Sequence, residues 1–499
     1  MTVIAPYAKS PGAETTKPAT AAAAVRAKPL GWPLLGFYGL GGLGEHIPNY
    51  GLTHLLLFYL TIVCGMPGTA AGLLIGVSLV VDGVVEPLIG SLSDNSHSRH
   101  GRRHPFMLFG GLALAVTFGL LFSVPSQTTG VALYASALAI LLAVRIAHAM
   151  FNVPFVALGA ELTDDYHERS LVVASRLLFS QLAGSVASFL ALGVFLKGHD
   201  GLTNPAGYAP FAWSSAALIA VMAGLSIVGT LGARDRLHAA APNQHFAVGR
   251  FLGELVELFR NPSFRVLFFT ALVFLAAFGI ASGLGLHANK YFWKLTTQQI
   301  LIVSQLAVAS AIGGIVLAAA LRRVMQKRTM AILGMGMVAI SQLTLVPLRL
   351  AGLIPDDAVM AAVTISTMLT YAGMIINVVG FQSMMADVAD HHEQLFGARR
   401  EGLCYSGTTL ATKVSSGLGA MVAGLTLDII GFPHVPRHAK AALVIPAETL
   451  RHLALVYGPA TGALTVVAII LVFNYRLNKD EHMAIRSDLV RQRNEGTSI

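Results

Sequence analysis

The sequence predicts an all-α membrane protein of about twelve transmembrane helices in two six-helix bundles. Three observations lead there. Of 499 residues, 55% are hydrophobic and only 12% charged, whereas a soluble domain carries about 25% charged. Apolar runs of the roughly 20 residues that cross a bilayer recur along the whole chain. An acidic segment after the fourth run, Glu161 to Arg169, has a counterpart six spans later, Asp387 to Glu401. That is the pattern of two structurally related halves with a binding site between them.

In chain order, residues 1–30 are rich in Ala, Pro and Lys and have no hydrophobic h-region. They read as a disordered tail, not as a cleaved signal peptide. The first bundle is expected over 31–233, with spans at roughly 34–62, 69–93, 106–124, 130–160, 171–196 and 210–232. Residues 234–264 are the longest polar connector. They read as a linker with a short amphipathic piece, Phe251 to Phe259, lying at the membrane interface. The second bundle is expected over 265–475, with spans at roughly 266–289, 298–321, 329–348, 357–386, 402–430 and 450–474, and 476–499 form a C-terminal tail. Counting Arg176 and Arg451, near the starts of their spans, with the adjoining connectors, 25 of the 34 Lys and Arg fall in the two tails and the connectors on their side, and 7 fall opposite. The positive-inside rule then places both termini in the cytoplasm, which an even number of spans satisfies, and the protein in the cytoplasmic (inner) membrane.

Composition also excludes classes. The net charge of +9 does not gather into a basic reading surface, so nucleic acid is not the partner. Cys64 and Cys404 are the only cysteines and offer no disulfide framework or metal spacing. No nucleophile–base pair, phosphate loop or metal cluster is present, so neither an enzyme nor an ATP-driven pump is expected.

Four constellations carry chemistry. Asp82 and Glu86, four apart at the end of the second run, share one helix face. A carboxylate in a membrane span costs roughly 2.5–3.5 kcal/mol, so this face looks at a cavity or a cation. A structural ion pair between helices is the plainer alternative. Lys413, in the middle of the eleventh span, is a buried cation that needs an anion unless it snorkels to the interface. Arg145, His148 and Asn152 share a face of the fourth span. They line a cavity, or else Arg145 is only a counter-charge to the acidic pair and His148 a satisfied core histidine. In the first span, Tyr38 to His46 supplies glycines for close helix approach, with Glu45 and His46 at its end.

Gly90-x3-Asp94 followed by Arg99-x-Gly101-Arg102-Arg103 resembles the loop between the second and third helices of the major facilitator superfamily. The preceding acidic-x3-acidic-Pro is similar to one branch, the glycoside–pentoside–hexuronide:cation symporters typified by melibiose permease. The resemblance runs from about Tyr38 through the twelfth span.

It implies a major facilitator fold and cation-coupled symport of a small solute by alternating access, a glycoside, sugar or uronide first. It implies that Asp82 and Glu86 carry the ion and that Lys413 approaches them. Arg176 is placed where a family arginine reaches substrate. His46 and Asn152 stand where sugar-binding members carry carboxylates. With Arg145, His148, Trp293 and Asn377 they complete the expected solute site.

Asp94, Arg102, Arg103, Glu161, Asp164, Arg169, Asp387, Asp390 and Arg400 are expected as a gate of paired charges on the terminal side, solvated loop charges being the bland alternative. The coupling ion is expected to be a proton, with sodium as the alternative. Val85 and Ala149 replace an asparagine and a threonine of sodium-using members and supply no side-chain oxygen. The partners are then the solute, the cation and the bilayer, with no cofactor and a monomeric carrier. A carrier of lysolipids or other amphiphiles is the runner-up within transport. A non-transporting receptor or scaffold would have no use for the buried charges.

Overall fold

The computed structural model describes residues 30–96, 98, 101–124, 128–163, 165–198, 200–233, 253, 256–397, 401–433, 445–477 and 479–496. Within a bilayer every backbone N–H and C=O must be satisfied locally, and this chain meets that demand with helices. They are α1 (Trp32–Tyr50), α2 (Gly68–Asp94), α3 (His104–Leu121), α4 (Gly130–Glu161), α5 (Tyr166–Ser188), α6 (Tyr208–Leu231), α7 (Pro262–His287), α8 (Thr297–Leu321), α9 (Lys327–Leu350), α10 (Val359–Phe396), α11 (Glu401–Ile429), α12 (Ala447–Leu455) and a terminal α13 (Lys479–Gly496). Several spans continue past these bounds through wide π-type turns. α1 runs on to Val63 through Gly51–Leu55 and Tyr59–Val63, α5 through Phe189–Phe195, α7 through Ala288–Phe292, and α12 through Val456–Ala460 into Thr461–Val472. Eleven of the spans are long and apolar enough to cross a membrane. The first, carrying Glu45, His46, Asn49 and His54, is not among those eleven and completes the expected twelve.

α10 is about ten residues longer than the sequence pattern suggested. The segment from Asp387 to Glu393, expected as a loop after the span, is helical. Nothing in it breaks a helix until Gly397, whose left-handed φ of 72° ends it.

The helices form two bundles. In the first, α1 packs on α5 and α6, α3 on α4 and α6, and α2 on α4; in the second, α7 packs on α11 and α12, α9 on α10 and α12, and α8 on α10. α2 against α11 and α5 against α8 join the bundles. The α2–α11 seam is built on small residues. A side chain on Gly72 would put its Cβ 2.7 Å from the Ala420 carbonyl, and one on Gly68 2.4 Å from that of Gly424. The glycines of α1 act as expected within the first bundle: a Cβ on Gly42 would lie 2.9 Å from the Arg176 carbonyl of α5. α13 lies along α10 and buries Ile485 and Leu489 in the second bundle's core.

The ends of α1 and α12 that lead to the termini define a terminal side, and the other face is the far side. Of the proposed linker's amphipathic piece, Gly253 and residues 256–259 are described, and Leu258 is buried against Phe264. The N-terminal tail up to residue 29 lies outside the described residues, as does most of the linker.

Candidate functional site

The acidic pair meets its lysine across the two bundles. Lys413 Nζ on α11 lies 2.5 Å from Asp82 Oδ2 and 2.9 Å from Glu86 Oε1 on α2. The one-turn spacing of the two acids lets a single ammonium bridge both. Asp82 is buried, whereas the Glu86 side chain keeps 20% of its exposure. Asp82 Oδ1 is buried and has no hydrogen-bond partner among the described residues. Lys413 offers one positive charge against two carboxylates, and buried Arg145 adds a second only through space, so a carboxylate oxygen is left open to a proton or small cation.

Arg145 on α4 is buried beside this cluster, but its contact is with Ser78, whose Oγ accepts from Arg145 Nε at 3.4 Å. It reaches neither carboxylate at ion-pair distance and acts on them through space. His148, one turn along α4, turns toward the pair. Asp82, Glu86 and His148 each bring one polar atom to within 4.8 Å of the other two.

His148 also reaches α1. Its Nε2 lies 3.2 Å from Glu45 Oε1, and Glu45 Oε2 contacts His46 Nδ1. Glu45 is 4% exposed and the His46 side chain 41%. His46 opens onto a cavity of about 330 Å³ between the bundles, within the ~300–1,000 Å³ typical of small-molecule sites. Asn49, Tyr50, His54, Gln181, Asn289 and Tyr371 also line it. No Asp or Glu does, among the described residues. His54, Gln181 and Tyr371 were not singled out from sequence. The signal for α1 was present, since His46, Asn49, Tyr50, Thr53 and His54 recur at helical spacing and make a polar stripe in an apolar span.

The remaining solute-site candidates are placed apart from that cavity. Asn152 and Arg176 are half-buried without a hydrogen bond among the described residues and do not line it. Trp293 is buried at the far-side end of α7, packed edge-on to Phe292. Asn377 is buried where α10 crosses Gly334 of α9.

The bundles close on each other at the far side. Asp428 Oδ1 and Oδ2 accept from Gly68 N at 2.8 Å and Thr69 N at 2.7 Å. Thr61 Oγ1 lies 3.0 Å from His287 Nε2, and Thr297 Oγ1 donates to the Gly198 carbonyl at 3.0 Å. Nearer the middle, Ser185 of α5 bonds Gln305 of α8.

The terminal-side charges pair within their own bundle. Glu161 Oε1 accepts from Arg102 Nη2 at 2.5 Å and Arg103 Nη2 at 2.9 Å, and Arg103 also holds Asp94 at 2.5 Å. In the second bundle Lys327 Nζ meets Asp387 Oδ1 at 2.7 Å. His482 of α13 lies 3.4 Å from Asp387 and 3.0 Å from Asp390. The basic connector before α9, which has no acid of its own, thus finds one on α10. Arg169 Nε donates to the Thr163 carbonyl at 3.1 Å. Asp164 and Arg400 lie outside the described residues.

The sequence profile described as MFS/sugar transport protein matches residues 37–479 of this chain. The chain belongs to that family. MFS/sugar transport proteins are transporters, not enzymes. Among similar family members, an isoprimeverose transporter of Lactiplantibacillus pentosus is 26% identical over 436 residues, covering 86% of this chain and 85% of its own. A putative sulfoquinovose importer of Salmonella typhimurium is 24% identical over 476 residues, 93% of each chain. Escherichia coli contributes an inner membrane symporter at 23% over 417 residues, 82% and 85% of the two chains. A solved D-xylose-proton symporter superposes with a TM-score of 0.61 at 13% identity over 89% of this chain and 98% of its own. At that identity the likeness concerns the fold, and it agrees with a major facilitator architecture.

Proposed function

We propose that this MFS/sugar transport protein is a proton-coupled symporter for a sugar or glycoside that carries an acidic group. The observation that carries the coupling is Lys413 bridging Asp82 and Glu86 between the two bundles. A charge cluster at that seam ties ion binding to the relative position of the halves. The proton is favoured over sodium because Val85 and Ala149 stand in the sequence where sodium-using members of the resembling family carry an asparagine and a threonine, and neither side chain supplies an oxygen ligand. Glu86, the more exposed of the two acids, is the group assigned to take the proton.

The cavity supports the substrate class. Neutral sugars are gripped largely through carboxylates that accept several hydroxyl bonds, and this lining has imidazoles and amides in their place. Sulfoquinovose, named for one relative, is itself an anionic sugar. The 25-to-7 charge asymmetry supports a cytoplasmic terminal side in a bacterial inner membrane, so closure at the far side corresponds to a carrier shut to the outside. Residues 31–233 and 265–475 are the two moving bundles, and the carrier works as a monomer.

The test is competition in proteoliposomes with a panel of neutral disaccharides, uronides, sulfoquinovose and lysolipids. Uronides or sulfoquinovose should compete best. Stronger competition by a neutral disaccharide than by the matching uronide contradicts the substrate class, and competition by lysolipid alone replaces it with an amphiphile carrier.

A further inference from the structure

Glu45 is an acid buried within the first span, and the charge cluster on α2 does not touch it directly. Its two oxygens are taken by two imidazoles that face different places. Oε2 meets His46, which opens onto the cavity; Oε1 meets His148 Nε2 at 3.2 Å. His148 in turn shares the 4.8 Å cluster with Asp82 and Glu86. We propose that Glu45 is the positioning residue that links the solute cavity to the acidic pair, through a bonded chain His46–Glu45–His148 whose inner end lies within 4.8 Å of Asp82 and Glu86. The inference rests on the proton-coupled reading of that pair.

A carboxylate between two imidazoles accepts from an N–H of each and so fixes which ring nitrogens carry hydrogen. His46 is then a donor at Nδ1 and His148 at Nε2. This leaves His148 Nδ1, which is buried without a partner among the described residues, as is Asp82 Oδ1. Two unpartnered buried atoms at the inner end of the chain are where a change of charge at the outer end finds a response. Contact with a solute at His46 alters its charge or hydrogen bonding, Glu45 re-partitions between the rings, and the field of His148 on the pair changes. Unpaired buried groups respond strongly because the local dielectric is low.

The surroundings permit this. Tyr38 of α1 lies within electrostatic reach of Glu45 and of Arg176 of α5. Arg145 of α4 and Lys413 of α11 face the inner end. α6, packed on Gly41 and Gly44, brings Ile219, Ala223 and Ser226, none of which titrates at this level. Pro48, three residues after Glu45, and the π turn Gly51–Leu55 make the helical ladder of α1 irregular just beyond the link.

The chain can be tested without any solute or gradient. The purified full-length protein is treated with diethylpyrocarbonate across a pH series, and modification of His46 is read on its peptide by mass spectrometry. Glu86→Gln should move the midpoint of His46 modification by about half a pH unit or more while Glu45 is present, and leave it in place in Glu45→Gln, because coupled groups report on one another. An equal movement with and without Glu45, or none in either background, overturns the proposal. Should Glu45→Gln not fold, Glu45→Asp serves: one methylene shorter, it cannot span both rings and should shrink the movement, and an undiminished one overturns the proposal equally. If uptake fails to follow a proton gradient, the transport reading is what has failed; the His46 midpoint reports the link alone.

Discussion

Asp428, near the far-side end of α11, caps the first two backbone N–H groups of α2, at Gly68 and Thr69. The side chain belongs to one bundle and the helix N-terminus to the other. A carboxylate at a helix N-terminus gains from the charge-assisted bonds and from the helix dipole. The latch forms only where the glycine seam lets α2 and α11 touch, so it stabilises the far-side-closed arrangement alone.

Asp428→Asn should therefore loosen far-side closure. Losing charged hydrogen bonds of this kind costs about 1.5–3 kcal/mol, which raises the far-side-open population roughly tenfold or more. A cysteine placed at Thr53, on the cavity wall, should then react faster with an impermeant thiol reagent applied from the far side. Unchanged labelling contradicts the latch.

Lys413→Ala leaves the two carboxylates facing each other with only Arg145, acting through space, as a nearby cation. Breaking a buried ion pair from one side costs about 3–5 kcal/mol. The melting temperature of the variant should thus fall clearly below that of the wild type. An unchanged melting temperature would show that Lys413 does not offset the pair.

The orientation is tested by reporter fusions. Alkaline phosphatase joined after Leu353, between α9 and α10, should be active, and the same enzyme at the C-terminus inactive. The reverse pattern inverts the membrane topology, and with it the side to which the carrier is closed.

Much of this was legible in the sequence, for identifiable reasons. Asp82, Glu86 and Lys413 stood out because ionised groups are costly in apolar spans, and nothing else in those spans competes with the signal. The Lys327–Asp387 pair was missed because its partners are 60 residues apart and each looks like an ordinary loop charge. The Asp387–Glu393 segment was read as loop because charge was taken to end the span, although no glycine or proline interrupts the helix before Gly397. The α2–α11 glycine seam joins positions more than 340 residues apart, and no local pattern reports such a contact. Glu45 is legible beside His46 as a residue that could face the cavity; its second partner, His148, lies on another helix, and no local pattern reports it.

The most direct measurement of the central claim is solute accumulation in proteoliposomes under an imposed proton gradient, a sodium gradient, or neither, for wild type and Glu86→Gln. The account predicts that wild-type accumulation follows the proton gradient and ignores sodium, while Glu86→Gln abolishes accumulation and retains solute exchange. Accumulation driven at fixed pH by a sodium gradient alone would contradict it, as would undiminished proton-driven accumulation by Glu86→Gln.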